Sequence, residues 1–150
     1  MNLHREFSKM CLNKREGEIY DPIREKWIKN TPEETVRQQM IQFMLKRMNV
    51  PKNRIGVEKA LSTLGITGNR KRIDICIWDE NNKIKGIIEC KAYHISQDES
   101  PYQQVLDYVR ALNAKYYLVT DGIDLKGFYY DESLSQFLKM ENPLEDVKNL

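Results

Sequence analysis

A chain of 150 residues has room for one domain with its own hydrophobic core, so neither disulfides nor structural zinc is needed to hold it together. Its composition, 41% hydrophobic and 31% charged with 7 Gly and 5 Pro, excludes a wholly disordered, collagen-like or linker-type chain. Lys and Arg (24) nearly balance Asp and Glu (22), which excludes a histone-like neutraliser of nucleic acid but leaves room for a local basic patch.

In chain order, residues 1–30 predict short strands and turns, with a polar turn at Asn13 to Gly17 and an extended piece at Ile19 to Ile23. Thr31-Pro32-Glu33-Glu34 opens the first strong helix. Thr31 suits the N-cap and Pro32 the first helical position. Glu34 completes a Thr-x-x-Glu capping box, in which its carboxylate turns back to the Thr31 N–H. Val36, Met40, Ile41, Met44, Leu45 and Met48 continue at helical spacing, and Pro51 lies past the end. Residues 55–64 are ambiguous between strand and loop, with Ile55, Val57 and Glu58 the strand candidates.

Arg72 to Trp78 alternates with period two and is rich in isoleucine, which predicts a strand. Asn81-Asn82 marks a turn, and Ile84 to Lys91 returns as the second strand of a hairpin. Ser100-Pro101-Tyr102-Gln103 repeats the capping pattern ahead of a helix striped by Val105, Leu106, Tyr108, Val109 and Leu112. Tyr116 to Thr120 reads as a short buried strand ended by Asp121-Gly122, and Gly127 to Tyr130 as an edge strand. Residues 131–150 are polar and read as a weak helix or a C-terminal tail. The order of elements predicts an α/β protein and a single domain over residues 1–150.

Cys11, Cys76 and Cys90 are odd in number and contain no Cys-x-x-Cys pair, so they read as reduced thiols of a cytoplasmic protein. No apolar run approaches the roughly 20 residues of a membrane span. The first residues lack the apolar stretch of a signal peptide.

A hairpin turn centred on Asn81-Asn82 sets Asp74 opposite Glu89, Ile75 opposite Ile88 and Ile73 opposite Cys90. Alternation then gathers Ile73, Ile75, Ile77, Ile88 and Cys90 on one apolar face, and Asp74, Glu89 and Lys91 on the other. Two carboxylates directly opposed in a sheet have Cβ atoms about 4.5–5.5 Å apart and repel unless a cation sits between them. Oxygen-only ligands favour a hard ion such as Mg²⁺. Lys91 leans towards the same site, where an ammonium can orient or deprotonate a water and stabilise developing negative charge. The same residues on a solvated strand are also the pattern of ordinary surface charge.

Asp74 followed by Ile88-Glu89-Cys90-Lys91 resembles the metal-binding core of the PD-(D/E)xK nuclease superfamily. Thr31 to Gln38 looks like the helix motif of type I restriction enzyme R-subunit N-terminal domains, and Arg72 to Ile75 and Ile88 to Ala92 look like that family's two strand motifs. Gln104-Val105-Leu106-Asp107-Tyr108 has the Gln-apolar-x-x-Tyr pattern of many relatives, and Leu118 to Gly122 resembles their following strand and turn. Order and spacing agree over most of the chain.

The resemblance implies a restriction-endonuclease-like core, a central mixed β-sheet flanked by helices. It also implies a Mg²⁺-dependent deoxyribonuclease for which Mn²⁺ can substitute, hydrolysing phosphodiester bonds in restriction or repair. Asp74 and Glu89 would be metal ligands, helped by a backbone carbonyl near Cys90, and Lys91 would position the attacking water. The family's helix contributes a further acid, for which Glu33 and Glu34 are the candidates. Glu33 is favoured, because the capping box uses Glu34 and because Glu33 shares the stripe of Val36 and Met40.

Gln104 and Tyr108 share a helix face and, by the resemblance, help hold Lys91 or DNA; Tyr108 as an ordinary half-buried aromatic is the bland alternative. Arg37 is spaced to pair with Glu33. Asn69-Arg70-Lys71-Arg72 is a basic cluster that could contact DNA phosphates, although short basic runs are more often solvated loops. His94 is a lone histidine near the second strand, and Cys90 belongs to the apolar face.

The chain contains no Gly-x-x-x-x-Gly-Lys-[Ser/Thr] phosphate loop, so the expectation is a small stand-alone relative without ATP-driven translocation. Three readings stand. The first is a DNA endonuclease, with DNA and restriction or repair subunits as partners. The second is a catalytically silent module that binds nucleic acid or a partner subunit. The third is a structural subunit, for instance a homodimer, pairing through an edge strand at Phe128 to Tyr130.

Overall fold

The computed structural model describes residues 2–68, 70–95 and 101–150, and of Gln104 the backbone alone. Helix α1 (Leu3–Ser8) buries Leu3 and Phe7 beneath an Asn2 cap, whose Oδ1 accepts from the Arg5 N–H at 3.1 Å. The N-terminal 30 residues thus hold a helix as well as the expected strands. Strands β1 (Lys14–Arg15), β2 (Glu18–Asp21) and β3 (Lys26–Lys29) form a small antiparallel sheet. Helix α2 (Pro32–Lys46) starts at the Thr31 cap, as its sequence predicts.

The central sheet takes strands β4 (Ile55–Ala60), β5 (Arg72–Trp78), β6 (Ile84–Cys90), β7 (Tyr116–Thr120), β8 (Leu125–Asp131) and β9 (Gln136–Lys139), in that order. Helix α3 (Gln103–Ala111) lies between β6 and β7 in sequence. Neighbouring strands run antiparallel except β6 and β7, which are parallel. A parallel pair cannot be joined by a tight turn, and α3 supplies part of the crossover. The protein is therefore mixed α/β, with a six-stranded mixed central sheet beside a three-stranded antiparallel one.

Both faces of the central sheet are covered. On one face Phe7, Met40, Ile41, Phe43 and Met44 of α1 and α2 pack against Ile75, Ile77, Ile88 and Cys90. On the other, Val105, Leu106 and Val109 of α3 pack against Ile73, Cys76, Ile87, Tyr117 and Phe128. Burial on both sides explains why β7 is buried at all five positions and reads as a continuous apolar run. Gly86 lets the Tyr116 ring lie across β6, because a Cβ there would collide with it.

The hairpin register is the expected one at Ile75–Ile88, with an irregularity at Ile77/Trp78. The expected face assignment fails at two residues, Ile73 and Asp74, and Asp74 meets Arg37 of α2 while Glu89 meets Tyr108 of α3. Ile75, Ile77, Ile88 and Cys90 share the α2 side, but Ile73 sits on the α3 side. Alternation therefore breaks at Asp74.

Three further expectations are corrected. Gly127 to Tyr130 is not an edge, because β9 pairs along β8 and covers it; the edges of the sheet are β4 and β9. Of the helix and the tail expected in the C-terminal 20 residues, the helix is present as α4 (Pro143–Asp146), but β9 was not expected, and Met140, Leu144 and Val147 are buried in the core rather than in a tail. The N-cap of α3 is Tyr102, whose N–H donates to the Tyr117 hydroxyl at 3.1 Å. Ser100, the predicted cap, lies outside the described residues. Among the described residues no helix is long and apolar enough to cross a membrane.

Candidate active site

The site is assembled at the start of α2. The Thr31 hydroxyl accepts from the Glu34 N–H at 3.1 Å, which is half of the predicted capping box. The other half does not form. Glu34 is buried, and its carboxylate accepts from Arg24 Nη2 at 2.9 and 3.0 Å, Arg37 Nη1 at 2.7 Å and Gln38 Nε2 at 3.2 Å. Arg24 is held in turn by the fully buried Asp21, with Nε to Oδ2 at 2.6 Å. The turn between β2 and β3 is thereby tied to α2.

Arg37 is the hub of the cluster. Its guanidinium is buried, and Nη2 donates to Asp74 Oδ1 at 2.9 Å and to Glu58 Oε1 at 2.5 Å, with Glu33 Oε1 at 3.4 Å. A buried cation is tolerated only when paired in this way. Burial works to lower its pKa, but Asp74, Glu34 and Glu58 outweigh it and hold the guanidinium above the ordinary arginine value. The predicted pairing with Glu33 is the longest of its contacts.

Asp74 uses its second oxygen between strands: Oδ2 accepts from the Cys90 N–H at 2.8 Å. Each Asp74 oxygen retains a lone pair, because a carboxylate offers about four acceptor sites. Glu89 projects to the α3 side, where Oε1 accepts from the Tyr108 hydroxyl at 2.9 Å and Oε2 lies 3.7 Å from Lys91 Nζ. Burial, then the nearby Asp74 charge, pushes the Glu89 carboxyl up to about 7, against the opposing Tyr108 hydrogen bond and Lys91. Glu89 in turn raises the Tyr108 hydroxyl, after burial itself.

Burial alone would depress Lys91, but Glu89, Tyr93, Asp74 and Glu33 together hold its ammonium above the ordinary lysine value. These neighbours favour the charged ammonium of Lys91.

Glu33 is not on the core-facing stripe. Its side chain is 47% exposed, and Glu34 takes the buried position instead. Glu33 still borders the cluster: burial and the Asp74 charge raise its pKa, and Arg37, Lys91 and Glu58 also act on it. Tyr108 meets Glu89 rather than Lys91, and the Gln104 side chain lies outside the described residues. Arg70, Lys71 and Arg72 are exposed, and Arg72 Nη1 donates to the Glu58 carbonyl at 3.1 Å. Asn69 lies outside the described residues. Cys90 is buried with the core as expected, and burial followed by Asp74 raises its thiol well above the usual value.

Glu58, Arg24 and Asp21 are members of the network that the sequence did not announce. Glu58 is a non-glycine residue with φ of 55° inside β4, where the ladder runs from Val57–Ile75 to Lys59–Ile73. The irregularity sits where Glu58 and Asp74 would pair. The left-handed backbone there re-aims the Glu58 side chain without shifting the register.

Oxygen donors from Asp74, Glu89 and Glu33 are the kind that a hard divalent cation takes. In the described state they are not drawn together. Among the described residues, the group of three ligand-type side chains with atoms within 4.8 Å of one another is His94, Asp121 and Asp124. Asp121 there already accepts from the N–H groups of Ile123 at 2.9 Å, Asp124 at 2.7 Å and Ile95 at 3.3 Å, with exposed His94 Nδ1 at 3.4 Å. That set closes the loop after β7. A cavity of about 500 Å³ beside Leu3 and Leu144 and another of about 350 Å³ beside Trp78 and Lys115 hold none of the acid cluster.

Fold and site together describe a mixed α/β protein with four acids, Glu33, Glu58, Asp74 and Glu89, set around Arg37 and Lys91 where β5 meets β6. The family model for the type I restriction enzyme R protein N terminus matches residues 32–142, and the chain belongs to that family. The matched segment takes in α2, the hairpin, α3 and every member of the cluster except Asp21 and Arg24. No curated protein matches the chain.

Proposed function

We propose that this protein is a metal-dependent DNA endonuclease of the PD-(D/E)xK type, working in a restriction system with DNA and other restriction subunits as partners. Family membership supports the restriction role. The observation that carries the chemistry is the buried like-charged pair: Glu89 is pushed up to about 7 by burial and by Asp74, so the site accepts a proton where a cation would serve. Asp74 and Glu89, with Glu33 at the rim, would hold Mg²⁺ or Mn²⁺. A divalent ion held there supplies Lewis-acid polarisation of the scissile phosphate.

The chain's own groups do the rest. Lys91, kept protonated by Glu89, stabilises negative charge that develops on the phosphoryl oxygens as water attacks in line. Tyr108 fixes the Glu89 carboxylate, and Arg37 with the Cys90 amide fixes Asp74. Arg70, Lys71 and Arg72 offer exposed charge for the DNA backbone. Incubation with plasmid DNA and Mg²⁺ tests this directly. Cleavage is expected from the native protein and lost in Asp74→Ala and Lys91→Ala; equal cleavage by all three contradicts the assignment.

A second reading, a nuclease-fold module that binds nucleic acid or a partner subunit without cutting, is favoured by one observation. Both Asp74 oxygens already have partners in Arg37 and the Cys90 N–H. Calorimetric titration with Mn²⁺ separates the readings, since absence of binding at millimolar metal favours the silent module.

A further inference from the structure

We infer that Glu58 and Arg37 form a positioning pair: Glu58 is the carboxylate that keeps the buried Arg37 guanidinium satisfied when Asp74 turns away from it towards a bound divalent ion. The inference rests on the metal site proposed above and concerns residues that its ligand set leaves out.

Glu58 is where it is at a cost. Ile55 and Val57 both face the α2 side of the sheet, so regular alternation would send Glu58 to the α3 side. A left-handed φ of 55°, unfavourable for a residue with a Cβ, breaks the alternation. It brings the carboxylate within 2.5 Å of Arg37 on α2. Arg72 Nη1 holds the displaced Glu58 carbonyl at 3.1 Å, so the distortion is supported from the neighbouring strand. Strain of this kind persists where the surrounding structure demands it, and what it achieves here is one more anion for Arg37.

The need for that anion follows from counting donors. Arg37 Nη1 is committed to the buried Glu34, and Nη2 serves Asp74 and Glu58 together. Among the described residues its buried Nε has no partner, so the guanidinium has no slack elsewhere. A divalent ion held by Asp74 would draw charge from its carboxylate and so weaken the hold of Oδ1 on Nη2. A buried donor left unpaired opposes that change. Glu58 removes the penalty because it is already in contact. Glu33, at 3.4 Å and half exposed, cannot replace it.

The test is calorimetric titration of the full chain with Mn²⁺, without DNA, using native protein, Glu58→Gln, Arg37→Gln and the double variant, each checked for folding by circular dichroism. Glu58→Gln is expected to weaken Mn²⁺ binding about tenfold, the scale of one lost charged contact. In the Arg37→Gln background the same change is expected to have little effect, because the group that needed Glu58 is gone.

Unchanged or tighter binding in Glu58→Gln overturns the inference while leaving the metal site standing. A full loss that persists without Arg37 makes Glu58 a direct ligand and also overturns it. Absence of Mn²⁺ binding by native protein removes both the inference and the nuclease reading. If Glu58→Gln does not fold, Glu58→Asp decides. Its shorter reach predicts several-fold weaker binding, and native affinity contradicts the pair.

Discussion

Asp74 accepts the backbone N–H of Cys90 at 2.8 Å, a side chain near the start of β5 bonding the main chain at the end of β6. The bond puts one carboxylate under two constraints, since its other oxygen is held by Arg37 at 2.9 Å. Asp74→Ala leaves the buried Cys90 N–H unpaired, while Arg37 keeps Glu34 and Glu58, and is expected to cost about 1–3 kcal/mol. Asp74→Asn keeps the shape and one of the two acceptor oxygens, so it is expected to cost less while still abolishing cleavage. Urea denaturation beside plasmid cleavage checks both, and equal stability of the two variants counts against the account.

Arg37 is expected to be the most sensitive side chain of the network. Arg37→Met leaves Glu34, Glu58 and Asp74 facing one another without their cation. Removing one partner from a buried ion pair costs about 3–5 kcal/mol. Chemical denaturation measures it, and a loss well below about 1 kcal/mol contradicts the hub role.

Glu89 gives a pH signature. Its carboxyl is raised from 4.5 to about 7 by burial and by Asp74, so the folded state holds a proton that the unfolded state has released. The stability this group contributes is full below about pH 4.5 and is lost as pH rises through about 7. Glu89→Gln removes the slope. Denaturation midpoints of native and variant protein are expected to diverge between about pH 5 and pH 8, with the native protein losing ground at the higher pH. Parallel curves contradict the assignment. Mg²⁺ is expected to stabilise the native protein more at the alkaline end, where it need not displace the proton.

Tyr108→Phe deletes the hydroxyl that donates to Glu89 at 2.9 Å. That bond favours the charged carboxylate, so its loss moves the Glu89 transition to still higher pH. The expected cost at neutral pH is about 1–2 kcal/mol, within the range for a hydrogen bond to a group of this kind. A pH profile of stability or cleavage reads the displacement, and an unmoved profile shows that Tyr108 does not tune Glu89.

Much of the architecture is legible along the chain, and the exceptions share a physical cause. Thr31-Pro32 marks the start of α2, and the isoleucine alternation with the Asn81-Asn82 turn specifies the Ile75–Ile88 register, because caps, turns and period two are local. Strand β9 is less legible. In Gln136–Lys139 Phe137 alone is buried, so its pairing with β8 carries little pattern.

The choice between Glu33 and Glu34 turns on Arg24, ten residues upstream, which competes with the local capping box and wins the Glu34 carboxylate. The links from Arg37 to Glu58 and Asp74 span 21 and 37 residues. Nothing in a glutamate announces a left-handed φ. Asp74 and the Glu89–Lys91 step were readable as candidates from strand spacing, but not that Asp74 turns to Arg37 of α2 while Glu89 turns to Tyr108 of α3. The cation that joins Asp74 to three other acids was readable only as an i,i+4 neighbour of Glu33.

The central claim is that Asp74 and Glu89 share a divalent ion. Crystals soaked in Mn²⁺ and measured at a wavelength where manganese scatters anomalously address it most directly. The account predicts an anomalous peak in contact with both carboxylates, with Glu33 rather than Glu34 as the acid from α2. Soaked crystals with no peak between Asp74 and Glu89, or with manganese confined to His94, Asp121 and Asp124, would contradict it.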